Sequence, residues 1–275
     1  MKKVSKKIVA ITGARGALGS EFIKKYKKYF NFRIYKDRIE NKKKLNNWLN
    51  DNLDIQYFLH FAAITAVSKT KNNPKKTYKI NSNASISLIQ KLNQKKFNKL
   101  KYFLFSSSSH VYKPSQKSLS ENSLRKPMSI YGNSKKKVED FIFRNKKKIK
   151  YKIGIARIFN FYSSKHGGGF FINDMKKKLK FNNKILRINT LRDYINLDQL
   201  CDIIFFMVNK NISNPLNIAS GKKINLTDLS KLIIKKYNFK ANVAFEKKSY
   251  PGLFGNINLL RKLGYKKKIA KFKLK

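Results

Sequence analysis

Thr12-Gly13-Ala14-Arg15-Gly16-Ala17-Leu18-Gly19 follows the apolar run Lys7 to Thr12 (KIVAIT) and leads into an amphipathic stretch from Leu18 to Phe30. Three glycines at this spacing, after a strand and opening a helix, make a tight turn. They bring backbone N–H groups close to an anion and let the helix pack on the sheet, with its N-terminus favouring the negative charge. The ligand this predicts is the pyrophosphate of a dinucleotide, held by Gly13, Arg15, Gly16, Ala17, Leu18 and Gly19. Phe32 to Tyr35 reads as a second strand, completing a βαβ opening. Asp37 lies 18 residues after Gly19, where a carboxylate accepts ribose hydroxyls. Arg15, Lys36 and Arg38 surround it with charge that suits a 2′-phosphate, so NAD is the expected cofactor and NADP an open alternative.

Strands and helices continue to alternate along the chain. Leu45 to Leu53 reads as a helix, Gln56 to Phe61 as a buried strand, and Thr77 to Leu92 as one long helix with Ile80, Ala84, Leu88 and Leu92 on a face. Lys101 to Ser106 is a strand, Tyr131 to Phe143 a helix, Lys152 to Arg157 a strand, Asp198 to Val208 a helix and Leu216 to Ala219 a short strand. This order predicts an α/β fold, a Rossmann-like doubly wound parallel sheet, with a small discontinuous C-terminal substrate-binding cap. Residues 1–162 form the expected dinucleotide-binding domain. Residues 163–275 form mainly the cap, with about 190–221 returning to the sheet. In the second half, Ser163 to Gly169 reads as a flexible segment, and Met175 to Phe181, Asn225 to Tyr237 and Asn256 to Leu263 as helices.

The chain has 275 residues and a formal net charge of +50, yet 41% of it is hydrophobic, enough for a core and too much for simple disorder. The charge comes from 55 Lys against 9 Arg. Lys, Asn, Ile, Phe and Tyr, whose codons can be written in A and T alone, dominate the composition. Base composition therefore explains the charge without a nucleic-acid function, and Arg, the usual residue for base and phosphate recognition, is scarce. No apolar run approaches the ~20 residues that span a bilayer. The run Ile8 to Ile11 is too short for a signal peptide. One Cys, Cys201, permits neither an internal disulfide nor a Cys-rich zinc site. A cytoplasmic protein with no membrane insertion, no metal and no specific nucleic-acid partner is expected.

Ser106-Ser107-Ser108-Ser109-His110-Val111-Tyr112 ends a strand, and Tyr131-Gly132-Asn133-Ser134-Lys135 follows. Tyr131 and Lys135 share a helical face, and an ammonium beside a phenol favours the phenolate. A Tyr with a reference pKa of ~10 needs such help to act as a base. Ser108 can hydrogen-bond the same substrate oxygen.

In order and context these motifs resemble the extended short-chain dehydrogenase/reductases of the NAD-dependent epimerase/dehydratase family, which act on nucleotide-linked sugars. His60-Phe61-Ala62-Ala63 resembles the family's strand end beside the cofactor, and Asn81 matches an Asn of the next helix. Glu121 to Lys135 resembles its E…P…Y-x-x-x-K segment, and Arg157 to Tyr162 (RIFNFY) its strand end where Asn160 contacts substrate. Arg192-Asp193-Tyr194-Ile195 resembles a segment whose Arg192 meets the nucleotide phosphates, and Asn217 to Gly221 one near the sugar nucleotide. The resemblance implies catalysis by Ser108, Tyr131 and Lys135, cofactor binding that also uses Phe61, Ala62, Ala63 and Asn81, and a homodimer formed through the Tyr-Lys helix, for which Val138, Phe141 and Ile142 are the apolar candidates.

Departures from the pattern narrow the reaction. Ser109-His110 stands where the 4,6-dehydratases carry two acids, which argues against dehydration. A Ser-rich strand end resembles the 4-epimerases, so transient oxidation at C4 leads. His110 falls where GDP-fucose synthases carry a Cys acid/base and His166 near their His, which keeps a 4-keto-sugar reductase or epimerase-reductase open. A packed role for His110, and solvent exposure for His166, are the plain readings beside these. The compressed stretch Arg38 to Asp54, lacking the usual third strand, and Ala63 to Val67 resemble dTDP-4-dehydrorhamnose reductases. A noncatalytic Rossmann-type binder with a basic RNA- or membrane-binding surface is the reading from another class.

Overall fold

The structure, a computed structural model, describes residues 6–163, 189–239, 247–270 and 272. Six parallel strands form the main sheet: β1 (Lys7–Thr12), β2 (Phe30–Ile34), β3 (Tyr57–His60), β4 (Tyr102–Ser108), β5 (Lys152–Ile158) and, late in the chain, Pro215–Ile218. Their order is β2-β1-β3-β4-β5 and then Pro215–Ile218. The β2 strand is an edge of this sheet. Residues 38–54 supply one helix, α2 (Lys42–Asn50), and no strand, so the chain returns from β2 directly to the far side of β1.

Alternation along each strand divides the core between the two faces, because successive side chains point to opposite sides. Val9, Ile11, Tyr57, Leu59, Tyr102 and Leu104 pack on one side with Leu18, Phe22 and Tyr26 of α1 (Ala17–Tyr26). Ala10, Phe58, Phe103 and Phe105 pack on the other with Leu45 and Leu49 of α2. The helix expected to reach Phe30 ends at Tyr26, since Phe30 is already a buried residue of β2.

The helix expected over Thr77 to Leu92 is instead assembled from pieces. Asn73 caps a short turn, α4 (Pro74–Thr77), which follows α3 (Val67–Asn72) and precedes a π-helical segment, Tyr78–Ala84, before α5 (Ser85–Leu92). Such wide turns shift side-chain register and recur at functional sites. Here Leu88, Ile89 and Leu92 reach the sheet, while Asn81, Ser82 and Ser85 are all buried on polar partners.

The Tyr-Lys helix, α6 (Ile130–Asn145), starts at Ser129, whose hydroxyl accepts the Gly132 N–H at 3.1 Å. Val138 and Ile142, offered above as dimer candidates, are core residues under the sheet, and Phe141 is half-buried. Helical periodicity turns Val138 and Ile142 inward, so they are not part of any outward face.

Beyond β5 the chain forms a smaller sheet. Its centre is β7 (Thr190–Asn196), flanked by β6 (Asn160–Tyr162) and Tyr250–Leu253, with Lys223–Asn225 also pairing to β7. Thus Thr190–Asn196 lies in the small sheet, not in the main one as the expected span 190–221 had it. The helix α7 (Leu197–Lys210) and strand β8 (Pro215–Ile218) that follow do belong to the main sheet layer. The β7 strand thereby runs out of the small sheet directly into a Rossmann-layer helix. The expected helix Met175 to Phe181 and His166 fall within residues 164–188, which lie outside the described residues. Among the described residues no helix is long and apolar enough to cross a membrane, and no cluster of three or more metal-ligating side chains occurs.

Candidate active site

One cleft of about 280 Å3 opens at the carboxyl ends of the main strands, where ligands lie in open α/β sheets. Its floor is the glycine turn, with Gly13, Gly16, Ala17, Leu18 and Gly19, and the ends of β3 and β4, with Phe61, Ala63 and Ser106 to Ser109. His110, Tyr131, Lys135 and Asn160 are among its other lining residues. Residues separated by more than a hundred positions thus meet because every parallel strand ends on the same side.

The turn is built for close approach. Gly13 has φ +75, and a Cβ there would lie 2.6 Å from the backbone nitrogen of Ala62. Gly16 caps α1 with no side-chain hydrogen bond, and the first turn of α1 carries no acid. Its N–H groups and the helix dipole therefore remain available to an anion. This arrangement fits a dinucleotide pyrophosphate.

Gly132 performs the second close approach. A Cβ there would meet the carbonyl carbon of His110 at 3.0 Å, so α6 can press against the 3-10 turn Ser109–Val111. The result brings Tyr131 to Ser108, whose hydroxyl hydrogen-bonds the phenol. Burial raises the Tyr131 pKa, and this hydrogen bond works against the rise. The Lys135 ammonium donates to the Ser106 carbonyl at 2.7 Å and lies 4.9 Å from the centre of the Phe105 ring. Burial lowers its pKa to about 7, with Glu139 opposing. The sequence led us to expect the ammonium to favour the phenolate directly. In the structure the Lys135 ammonium is hydrogen-bonded to the Ser106 carbonyl of β4, and the Ser108 hydroxyl is the group that works against the raised Tyr131 pKa.

His110 lines the cleft with its ring edge-on to Tyr131, 5.6 Å between centroids. Its backbone N–H donates to Ser108 Oγ at 3.2 Å. Burial, and then the charge of Arg192, lower its pKa to about 4, so it is neutral at pH 7. Arg192 Nη1 donates to Thr190 Oγ1 at 3.0 Å and to the Leu191 carbonyl at 2.9 Å, both neutral acceptors. Burial lowers its pKa. Arg192 is half-buried, and a guanidinium whose partners are neutral acceptors keeps its charge for an anion.

Of the other predicted residues, Asn81, Ala62, Asp37 and Arg15 are not among those lining the cleft, whereas Asn160 is. Asn81 uses its amide within the protein: Oδ1 accepts the Ile64 N–H at 2.8 Å, and Nδ2 donates to the Ile64 carbonyl at 2.9 Å and to Ser134 Oγ at 3.2 Å. It is fully buried, so it holds the segment after β3 against α6 instead of contacting a ligand. The Ala62 N–H donates to Thr12 Oγ1 at 3.4 Å, behind the glycine turn. Asp37 is paired with Lys44 Nζ at 2.9 Å, and Arg15 is exposed. Asn160 faces the cleft and donates to the Asp193 carbonyl at 3.1 Å.

Three residues have supporting parts that the sequence reading did not assign: Glu139, which it did not name, and Asp193 and His60, which it named only as members of motifs. Glu139 is buried and bidentate on Arg157, and it accepts the Ser107 hydroxyl at 2.5 Å, bracing β4 just before Ser108. Asp193 accepts the N–H groups of Ser220 at 2.7 Å and Gly221 at 3.0 Å, which fastens the small sheet to the end of β8. His60 is wholly buried between Thr12 and Ser85. The sequence signal for Glu139 is the scarcity of acids, 14 in all, and for Asp193 also its place in the Arg192 to Ile195 segment.

Residues 11–251 match the family model described as GDP-mannose 4,6 dehydratase. The chain is 26% identical over 222 residues to GDP-6-deoxy-D-talose 4-dehydrogenase of Aggregatibacter actinomycetemcomitans, covering 78% of this chain and 74% of that protein. It is 27% identical over 224 residues to dTDP-D-glucose 4,6-dehydratase of Dictyostelium discoideum, covering 75% of this chain and half of that protein. Among solved structures, dTDP-4-dehydrorhamnose reductase of Bacillus anthracis in complex with NADP superposes with a TM-score of 0.80 at 19% identity, covering 98% and 96% of the two chains. UDP-glucose 4-epimerase of Thermotoga maritima with UDP-glucose superposes with a TM-score of 0.78 at 18% identity, covering 94% and 92%. These superpositions establish a shared fold.

Proposed function

Since this chain belongs to the GDP-mannose 4,6-dehydratase family, within the extended short-chain dehydrogenase/reductases that modify nucleotide-linked sugars with NAD(P), we propose that it carries out oxidation–reduction at C4 of such a sugar. The observation that carries this reading is the convergence of Ser108, Tyr131 and Lys135 in the same cleft as the glycine turn. A bound nicotinamide dinucleotide supplies the hydride acceptor or donor. Gly13, Gly16, Ala17, Leu18 and Gly19 would hold it, with Phe61 and Ala63 lining the same cleft, and Asp37 would serve its adenosine ribose.

Tyr131 exchanges the proton of the sugar hydroxyl at C4. Ser108 donates to or accepts from the same oxygen and lowers the cost of the phenolate. Lys135 adds positive charge behind them. Arg192 takes the nucleotide diphosphate and Asn160 the sugar side of the substrate. His110, neutral at pH 7, is placed to exchange a proton beside a keto group. Ser109 and His110 follow Ser108 where elimination of water would call for carboxylates, which supports redox chemistry without dehydration.

Two outcomes of C4 chemistry remain distinct. Net reduction of a 4-keto sugar is favoured by the curated relative named a 4-dehydrogenase, and by the edge position of β2, which agrees with the resemblance to dTDP-4-dehydrorhamnose reductases. Epimerisation by transient oxidation is favoured by the run Ser106 to Ser109.

The test is incubation with NAD(H) or NADP(H) and a panel of GDP-, dTDP- and UDP-sugars, including 4-keto sugars, in moderately high salt. Stoichiometric loss of reduced nicotinamide with a keto sugar is the expected result. Inversion at C4 without net cofactor consumption assigns the epimerase form. Binding of the cofactor with Tyr131→Phe turning over as fast as wild type overturns the proposal.

A further inference from the structure

Thr12 Oγ1 lies 2.7 Å from His60 Nδ1, and His60 Nε2 lies 2.8 Å from Ser85 Oγ. The Ser85 hydroxyl donates its one proton to the Asn81 carbonyl at 2.9 Å, so it can only accept from the imidazole. His60 Nε2 therefore carries the hydrogen. Nδ1 then accepts from the Thr12 hydroxyl if the ring is neutral, and Thr12 Oγ1 keeps its lone pair for the Ala62 N–H at 3.4 Å.

Every proton in this chain has one direction. Beyond Asn81, its Nδ2 donates to Ser134 Oγ, and Ser134 donates to the Tyr131 carbonyl at 2.7 Å. A second branch leaves the His60 backbone: Ser106 Oγ donates to the His60 carbonyl at 2.8 Å, and Lys135 Nζ donates to the Ser106 carbonyl. The buried His60 ring thus connects Thr12, the first residue of the glycine turn, with the supports of Tyr131, while the Lys135 branch hangs from the His60 backbone carbonyl.

We infer that His60 is a positioning residue: its Nε2–H ring sets the glycine turn against the Ser85–Asn81–Ser134 support of Tyr131, so that dinucleotide binding and the proton-transferring phenol share one register. This rests on the function proposed above. The neutral ring has two causes. His60 is completely buried, and an imidazolium there would face the Lys135 ammonium; both hold its pKa down at about 3. Protonation would also force Nδ1 to donate to Thr12, leaving the Thr12 hydroxyl to find a new acceptor in a filled site.

Two measurements test this. The chain has three histidines, so 15N-histidine NMR of the wild-type protein, with His110→Gln for assignment, reads the ring state of His60 directly. The expected signal is a neutral Nε2–H tautomer unchanged between pH 5 and 8; an Nδ1–H tautomer, or an imidazolium, overturns the inference. In parallel, binding of NADH and NADPH is followed by their fluorescence for Thr12→Val, His60→Leu and His60→Gln, well below each variant's Tm. Thr12→Val and His60→Leu should raise the dissociation constant roughly tenfold, from loss of buried hydrogen bonds. His60→Gln, whose amide can accept from Thr12 and donate to Ser85, should return it to within about threefold of wild type. A His60→Leu that does not fold leaves Thr12→Val and the NMR signal to decide. Lowered Tm with unchanged binding in Thr12→Val and His60→Leu reduces His60 to a stability role and overturns the inference alone. Failure of the wild type to bind either dinucleotide removes the functional reading as well.

Discussion

The Lys135 ammonium lies 2.7 Å from the Ser106 carbonyl oxygen, at the end of the strand that carries Ser108. The lysine of the Tyr-Lys pair is thereby held on the backbone of the strand that bears Ser108, and the phenol is left to that serine.

From this follows a division of labour between Tyr131 and the cofactor turn. Tyr131→Phe should lower kcat about 10²- to 10⁴-fold, the usual range for losing a general acid or base. The dissociation constant for the dinucleotide should stay within about twofold. Steady-state turnover together with fluorescence titration checks both, and Ser108→Ala should fall on the same side with a smaller loss.

Lys135 also predicts a pH signature of stability. Its pKa is about 7 in the folded protein against 10.5 for the free side chain, so between these values the unfolded chain holds a proton that the folded chain releases. Stability contributed through this group therefore rises as pH increases from about 7 toward 10.5. Urea denaturation of wild type and Lys135→Met at pH 7 and 9 should show a gain in wild type that the variant lacks. Equal slopes in both would contradict the assignment.

His110 predicts the opposite edge of the range. Its folded pKa is about 4 against 6.5, so stability is intact above about pH 6.5 and declines as pH falls toward 4, where the unfolded chain takes up a proton first. His110→Gln should flatten part of this decline; His60, at about 3, sustains the remainder. Denaturation midpoints at pH 7, 5.5 and 4.5 decide it.

Arg192 should separate substrate from cofactor. Arg192→Leu removes a half-buried cation whose hydrogen bonds among the described residues go to neutral acceptors, so a diphosphate loses its partner while no described ion pair is broken. KM for the nucleotide sugar should rise tenfold or more, with the dinucleotide dissociation constant unmoved. An unchanged KM would take Arg192 out of the substrate site.

Glu139 and Arg157 are nearly inaccessible, with side-chain exposures of 0% and 2%. Removing one partner of such a pair strands the other, so Glu139→Ala should cost about 3–5 kcal/mol. The double change Glu139→Leu with Arg157→Met should recover much of that loss. Chemical denaturation of the two variants measures the difference.

The sequence determined the order of elements, because apolar alternation and helical periodicity act over a few residues. It also located the glycine turn, whose function depends on neighbours in the chain, and it paired Tyr131 with Lys135, one helical turn apart. Even the loss of a strand between Arg38 and Asp54 was readable, as a shortfall of residues. What only tertiary structure decided were the partners. Lys135 found a carbonyl of β4 instead of the Tyr131 phenol. Asn81 turned its amide on Ile64 and Ser134, and Asp37 met Lys44. Val138 and Ile142 went into the core, and the His60 ring came between Thr12 and Ser85. Each of these choices joins residues that are distant in sequence or turns a helix toward one particular neighbour. The physical reason is that a buried polar group must be satisfied by whatever the packed fold brings within about 3 Å, and no local pattern specifies that donor or acceptor.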